Sequence, residues 1–204
     1  QGPVHLTIPA DLQEAEVDED VAMRYLPSEY GAPRKYLGDP EQVSNAIELL
    51  RSASKPVILA GTGAGATTSA EELTRLVEIT RIPIFTIDSA RGLVPDDHEF
   101  CAGFGYLPLN GAAQRIGEAD VVLLLGQKLD YTWGYGGAPP FASEAKFIFV
   151  DPSPADIGRA RSVTVGIAGD VGPIVTQLAD EARTHSWQDE SWAGSLKASA
   201  DEFR

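Results

Sequence analysis

The chain has 204 residues, a formal net charge of −14 and 43% hydrophobic residues. That length suits one α/β domain with tails, or two very small domains, and the apolar content suits a buried core rather than a disordered chain. The acid excess argues against a nucleic-acid backbone or an anionic membrane as the main partner, because both require clustered Lys and Arg.

The single cysteine, Cys101, excludes an internal disulfide framework and a cysteine-based zinc site, and it fits a reducing, cytoplasmic compartment. Every apolar run is strand-sized, so none spans a bilayer. The segment Gln1–Pro9 has no basic region followed by an apolar stretch and is no signal peptide. It lacks an initiator Met, and Val4, Leu6 and Ile8 alternate as one face of a strand does. The sequence therefore reads as beginning inside an element of something larger. Residues 10–40 read as a linker, acidic from Glu14 to Asp20 and then broken by Pro27, Gly31, Pro33, Gly38 and Pro40.

Asp39 as N-cap, Pro40 at the first helical position and Gln42 three residues after the cap predict a helix start. Val43, Ala46, Ile47 and Leu50 form its apolar stripe. A strand over Val57–Ala60 runs into the turn Gly61-Thr-Gly-Ala-Gly-Ala66. A second helix starts at Ser69, with Glu72 completing a capping box. The strand Pro83–Ile87 ends at Asp88, and the stretch to Asn110 is irregular, with one short strand near Cys101. A short helix over Gly111–Glu118 precedes the buried strand Val121–Leu125. Gln127–Ala145 is a long loop, a length that usually serves function or shields something. The strand Phe147–Val150 ends at Asp151, and Val163–Ile167 ends before Gly169-Asp170. A helix capped by Asp170 carries Val171, Ile174, Val175, Leu178, Ala179 and Ala182 on one stripe. From His185 onward a tail with Trp187 and Trp192 packs on something or leads to another domain. This alternation predicts an α/β fold: a Rossmann-like, doubly wound, mainly parallel sheet of about six strands with helices on both faces.

In such a sheet ligands sit outside the carboxyl ends of the strands, near the switch in strand order. The candidate cofactor-binding residues are therefore those that follow each strand. They are Gly61, Thr62, Gly63, Ala64 and Gly65, then Ser89, Arg91 and Gly92, then Gly126, Gln127 and Lys128. Asp151 and Pro152, and Gly169, Asp170 and Val171, complete the set. Small residues admit a ligand to the backbone, carboxylates accept from ribose hydroxyls, and helix-start amides suit phosphate. Gly61, Gly63 and Ala66 also match G-x-G-x-x-A between a strand and a helix, although any tight strand-to-helix turn uses glycines. Asp88 follows Gly61 by 27 residues, beyond the usual spacing of about 20, and reads more readily as a turn or N-cap carboxylate. Asp151 reads equally as a ribose acceptor or a local turn acceptor before Pro152 and Pro154.

No catalytic constellation or metal set emerges. His5, His98 and His185 are scattered, Asp96-Asp-His-Glu99 reads as a solvated turn, and Cys101 between Phe100 and Ala102 reads as a buried thiol. Tyr131, Trp133 and Tyr135 read as an aromatic lid over a planar ligand or as anchors of the long loop.

Six segments, in order and spacing, resemble the central domain of thiamine-diphosphate-dependent enzymes. They are Lys55-Pro-Val-Ile-Leu-Ala-Gly-Thr-Gly-Ala64, Ile82-Pro-Ile-Phe85, Ala90-Arg-Gly-Leu-Val-Pro-Asp-Asp-His98, Ala119-Asp-Val-Val-Leu-Leu-Leu-Gly126, Phe149-Val-Asp151 and Gly169-Asp-Val171. Gly2–Asp11 is similar to the closing strand and exit of the preceding pyrimidine-binding domain in that family. Gly126-Gln-Lys-Leu-Asp-Tyr-Thr-Trp-Gly-Tyr-Gly136, followed by Pro139-Pro140, looks most like the branch holding benzaldehyde lyase, oxalyl-CoA decarboxylase and 2-hydroxyacyl-CoA lyase. Acetolactate synthases typically carry Arg-Phe-Asp-Asp-Arg after that glycine, where this chain has Lys128-Leu-Asp-Tyr-Thr132.

The resemblance implies a central domain that binds FAD, an adenine nucleotide such as ADP, or nothing, in different members. It implies that residues 1–38 end a pyrimidine-binding domain and its linker, that 39–183 form the central domain, and that 184–204 lead toward a pyrophosphate-binding domain. Those neighbours would hold thiamine diphosphate and Mg²⁺, through a glutamate and a Gly-Asp-Gly…Asn segment; here Gly169-Asp170 is followed by Val171. The full-length enzyme is then expected to be an acetolactate synthase-like or benzaldehyde lyase-like lyase, carboligase or decarboxylase of 2-keto acids, acyloins or 2-hydroxyacyl-CoA. It is expected to be a homodimer or homotetramer with no nucleic-acid or membrane partner, and the 204-residue chain alone to be inactive. The residues by themselves leave two alternatives: a free-standing NAD(P)-binding dehydrogenase domain built on Gly61, Gly63, Ala66 and Asp88, and a structural domain with an empty crevice.

Overall fold

The computed structural model describes residues 4–26, 35–187 and 191–202. Linker punctuation at Pro27, Gly31 and Pro33, and both chain ends, lie outside the described residues. The chain divides into two units, Gln1–Arg34 and Lys35–Arg204.

In the first unit, α1 (Ala10–Gln13) and α2 (Glu19–Tyr25) bury no residue. The Asp18 carboxylate caps α2 by accepting from the Val21 amide at 3.1 Å. Val4, Leu6 and Ile8 are exposed and form no strand. A strand exists only by pairing, and no described residue pairs with them.

The second unit opens with α3 (Pro40–Ser52), where Asp39 caps the Glu41 amide and Val43, Ala46, Ile47 and Leu50 are buried as the periodicity requires. Strands β1 (Pro56–Ala60), β2 (Ile84–Thr86), β3 (Cys101–Phe104), β4 (Val121–Leu125), β5 (Lys146–Asp151) and β6 (Val165–Ala168) form one sheet in the order β3-β2-β1-β4-β5-β6. Every pairing is parallel. The helices between them are α4 (Thr62–Thr67), α5 (Ala70–Thr80) and the short α6 (Gly111–Gln114); α7 (Val171–Ala182) and α8 (Ser191–Glu202) follow β6. The capping box at Ser69 and Glu72 forms as expected.

Both faces of the sheet are covered, which is why its central strands β1 and β4 are apolar at every position. Ile58, Leu123, Leu125 and Ile148 pack under α3, α5 and α7. Val57, Leu59, Val122, Leu124 and Phe147 face the other way, toward α6, α8 and the aromatic pair Trp133 and Phe141.

The structure departs from the sequence reading in three places. The glycine turn after β1 is helical from Thr62 to Thr67. Asp170 makes no side-chain cap on α7; its Oδ2 accepts instead from the Tyr36 amide at 2.9 Å. Residues 35–38 are not free linker, because Gln177 on α7 bonds both the amide and the carbonyl of Gly38, at 2.9 and 3.1 Å. The tail from 191 takes the first of its two readings and packs on the sheet domain: Trp192, Ala193, Leu196 and Ala200 are buried, and Trp192 Nε1 donates to the Pro56 carbonyl at 3.0 Å.

Candidate functional site

The strand order reverses between β1 and β4, and all six strands end on one edge, so the edge near that switch is where a ligand site is expected. There α4 begins against the exit of β4. The amide of Gly63 donates to the Gly126 carbonyl at 3.0 Å, Gly61 donates to Leu125, and Gly65 donates back to Gly61. Gly126 itself has a left-handed φ of 57°. The backbones interlock so tightly that a Cβ on Gly63 would stand 2.8 Å from the Gly126 Cα, and one on Gly65 would stand 2.4 Å from the Ser89 carbonyl. These glycines therefore serve close packing of the turn. Three of their amides are already used and Ala64 is fully buried, which leaves Thr62 as the exposed first-turn residue.

Gln127 is buried, and its Nε2 donates to the Lys128 carbonyl at 2.8 Å. Its Oε1 is buried with no hydrogen-bond partner among the described residues. A buried acceptor left alone costs about 1–3 kcal/mol; this one packs against the turn at Gly61. Asp151, at the end of β5, is 5% exposed. Its Oδ1 accepts from the Ser153 amide at 2.8 Å, the local turn use, while no described residue engages Oδ2. Burial pushes the Asp151 carboxyl up, against the Ser153 amide and the nearby Lys128, which lower it. The backbone joins this residue to both neighbouring exits: Gly126 donates to Val150 at 2.9 Å, and Gly169 donates to Asp151 at 3.2 Å.

On the β3 side of the switch lies a cavity of about 740 Å³, lined among others by Asp88, Phe104, Tyr106, Gln127, Tyr131 and Trp133. The aromatic run divides its roles. Trp133 is buried and stacks on Phe141 at 5.7 Å, anchoring the loop; Tyr131 is exposed at the cavity rim. Asp88 is exposed beside it with a left-handed φ of 49°.

The structure thus brings together Gly61, Gly63, Gly65, Ser89, Gly126, Gln127, Asp151 and Gly169. The other candidates point elsewhere. Arg91 turns back to Thr86 Oγ1 at 2.9 Å and to Asp96 at 2.6 Å, while Gly92 stands in open space and Pro152 is exposed. Lys128 pairs with Asp156 at 3.2 Å, which holds the Asp156 carboxyl below its usual range. Val171 is 1% exposed, buried within the core. Sequence reasoning missed Phe104, Tyr106 and Asp130, because they come from irregular segments without spacing that marks them. Cys101 is buried, and burial pushes its thiol up. Among the described residues no group of three or more His, Cys, Asp or Glu could hold a metal, and no helix is long and apolar enough to cross a membrane. Asp170 accepts from the Tyr36 amide.

A parallel sheet in this order, with a glycine turn after β1, has the Rossmann-type doubly wound topology. Residues 43–178 match the family model described as the thiamine pyrophosphate enzyme central domain. The chain belongs to that family. It is 35% identical over 181 residues to the probable acetolactate synthase large subunit of Methanococcus aeolicus, covering 87% of this chain and 30% of that one. It is 32% identical over 210 residues to 2-hydroxyacyl-CoA lyase of Arabidopsis thaliana, covering 98% and 35%. It is 29% identical over 189 residues to oxalyl-CoA decarboxylase of Escherichia coli, covering 91% and 32%. The chain spans about a third of the length of these curated relatives. An X-ray structure assigned to the thiamin diphosphate-dependent enzymes, from Mycobacterium smegmatis, shares the fold with a TM-score of 0.60 at 18% identity, over 76% of this chain and 30% of that one.

Proposed function

We propose that this chain is the non-catalytic middle of a thiamine-diphosphate-dependent lyase, carboligase or decarboxylase of 2-keto acids, acyloins or 2-hydroxyacyl-CoA, and that its carboxyl-edge crevice holds FAD or ADP. The names of the relatives support the enzyme class. The observation that carries the crevice reading is Asp151: a buried carboxylate at a strand end, beside the order switch, with Oδ2 unengaged by any described residue. Ribose hydroxyls donating there would favour the ionised form that burial disfavours.

Thiamine diphosphate supplies the electron-sink chemistry when bound, and Mg²⁺ its diphosphate clamp. In this reading both are held by pyrimidine- and pyrophosphate-binding domains of the same enzyme, a cytoplasmic homodimer or homotetramer. This chain alone then turns over no pyruvate, benzoin or oxalyl-CoA.

Calorimetric titration with ADP, FAD and NAD tests the crevice. Asp151→Ala weakens ADP or FAD binding by about tenfold or more, the worth of a hydrogen bond to a charged group. Unchanged affinity would reject this placement. Tight, selective binding of NAD that is lost only on changing Asp88 would restore the dehydrogenase reading. Gly63 is unsuited to this test, since a side chain there strikes Gly126 before it meets a ligand.

A further inference from the structure

The segment Gln127–Ala145 forms one wall of the cavity of about 740 Å³. It has almost no regular structure: one distorted 3₁₀ turn, Tyr131–Gly136, interrupted by left-handed Gly134 and Tyr135. A segment like this leaves carbonyls that neither a helix nor a sheet satisfies. Arg161, on the loop between β5 and β6, gathers them. Its guanidinium donates to the carbonyls of Gly136 and Ala142, and to those of Ser143 at 2.6 Å and Ala145 at 3.0 Å. It also lies 4.5 Å over the Phe147 ring.

We propose that Arg161 is the positioning residue of the candidate site, holding Gln127–Ala145 in place as the cavity wall and tying it to the loop that leaves Asp151. The chemistry is specific to arginine. A planar fork with five donors serves four carbonyls at once while stacking flat on an aromatic face, whereas a lysine ammonium has three donors and no plane to stack. The value of the wall to a ligand rests on the crevice reading above, but the latch itself is read on the ligand-free chain.

The test is hydrogen–deuterium exchange on the full chain, comparing wild type, Arg161→Ala and Arg161→Lys. The reporters are the amides of Tyr135, Gly137, Phe141 and Ala145, each bonded within the loop. Both variants should speed their exchange by about tenfold, while amides of β4 and β5 keep wild-type rates. Millimolar guanidinium chloride, against equal sodium chloride, should restore protection in Arg161→Ala by refilling the vacated site. If Arg161→Ala does not fold, Arg161→Lys decides. Wild-type loop exchange in the variants, loop and strand amides rising together, or no rescue by guanidinium would each overturn the proposal. Failure of wild type to bind ADP or FAD would count against the crevice reading alone.

Discussion

The side-chain carbonyl of Gln127 lies so close over Gly61 that a Cβ at residue 61 would stand 2.3 Å from Oε1. The turn after β1 and the exit of β4 are therefore one packed unit, and its glycines are set by backbone against backbone.

The first prediction follows from that packing. Gly63→Ala and Gly65→Ala place a methyl against the backbone of Gly126 and Ser89, and each should cost about 1–3 kcal/mol by overpacking. Gly194, within α8, has nothing within 4 Å of its would-be Cβ. Gly194→Ala should instead stabilise by about 0.5–1 kcal/mol. Urea unfolding of the three variants checks both signs.

Asp151 gives a pH signature. Its folded-state pKa is raised by burial, so the native state binds its proton more tightly than the unfolded chain does. The contribution of this group is fully favourable below the ordinary aspartate value of about 4, and it is lost as pH rises through the raised native value. Asp151→Asn keeps an acceptor for the Ser153 amide without the charge. It should raise the melting temperature of the ligand-free chain at pH 7 and leave it little changed at pH 3.5, a difference that calorimetry reads.

Glu118 has the opposite sign. Hydrogen bonds from Arg115 and Lys55 hold its carboxyl down to about 2. Its contribution is present above the ordinary glutamate value of about 4.3 and fades as pH falls toward 2. Both ion pairs are partly exposed, and solvent screening keeps the gain below about 1 kcal/mol. Glu118→Gln should lose that much at pH 7 and nothing at pH 2 when unfolding is followed across pH.

Two truncations should differ. Among residues 4–26 none is buried, so removing residues 1–34 should change unfolding free energy by less than about 0.5 kcal/mol. Removing 191–204 strips Trp192 and Leu196 from the second face of the sheet. Trp192→Ala alone should cost about 3 kcal/mol or more. Equal stability of the two truncated chains would contradict the division of the core.

Much of this protein is legible in its sequence for a local reason. Val43, Ala46, Ile47 and Leu50 recur at helical spacing, and Val121–Leu125 is apolar at every position, so burial on one side or on two follows from the residues alone. The capping box of Ser69 and Glu72 needs only three residues of separation. The strand ends, and with them the glycines and Asp151, follow from those elements, and the ordered run of six segments carries the family.

What only the tertiary structure decided lies in contacts between residues far apart in the chain. Gly63 gives its amide to Gly126, Asp170 turns from capping its own helix to hold Tyr36, and Trp192 reaches the carbonyl of Pro56. Arg161 collects carbonyls from the loop before β5. Periodicity and capping are set by neighbours within a turn or two. Which polar group satisfies a distant amide or carbonyl is decided only when the sheet order brings the two together, and no local pattern records that choice.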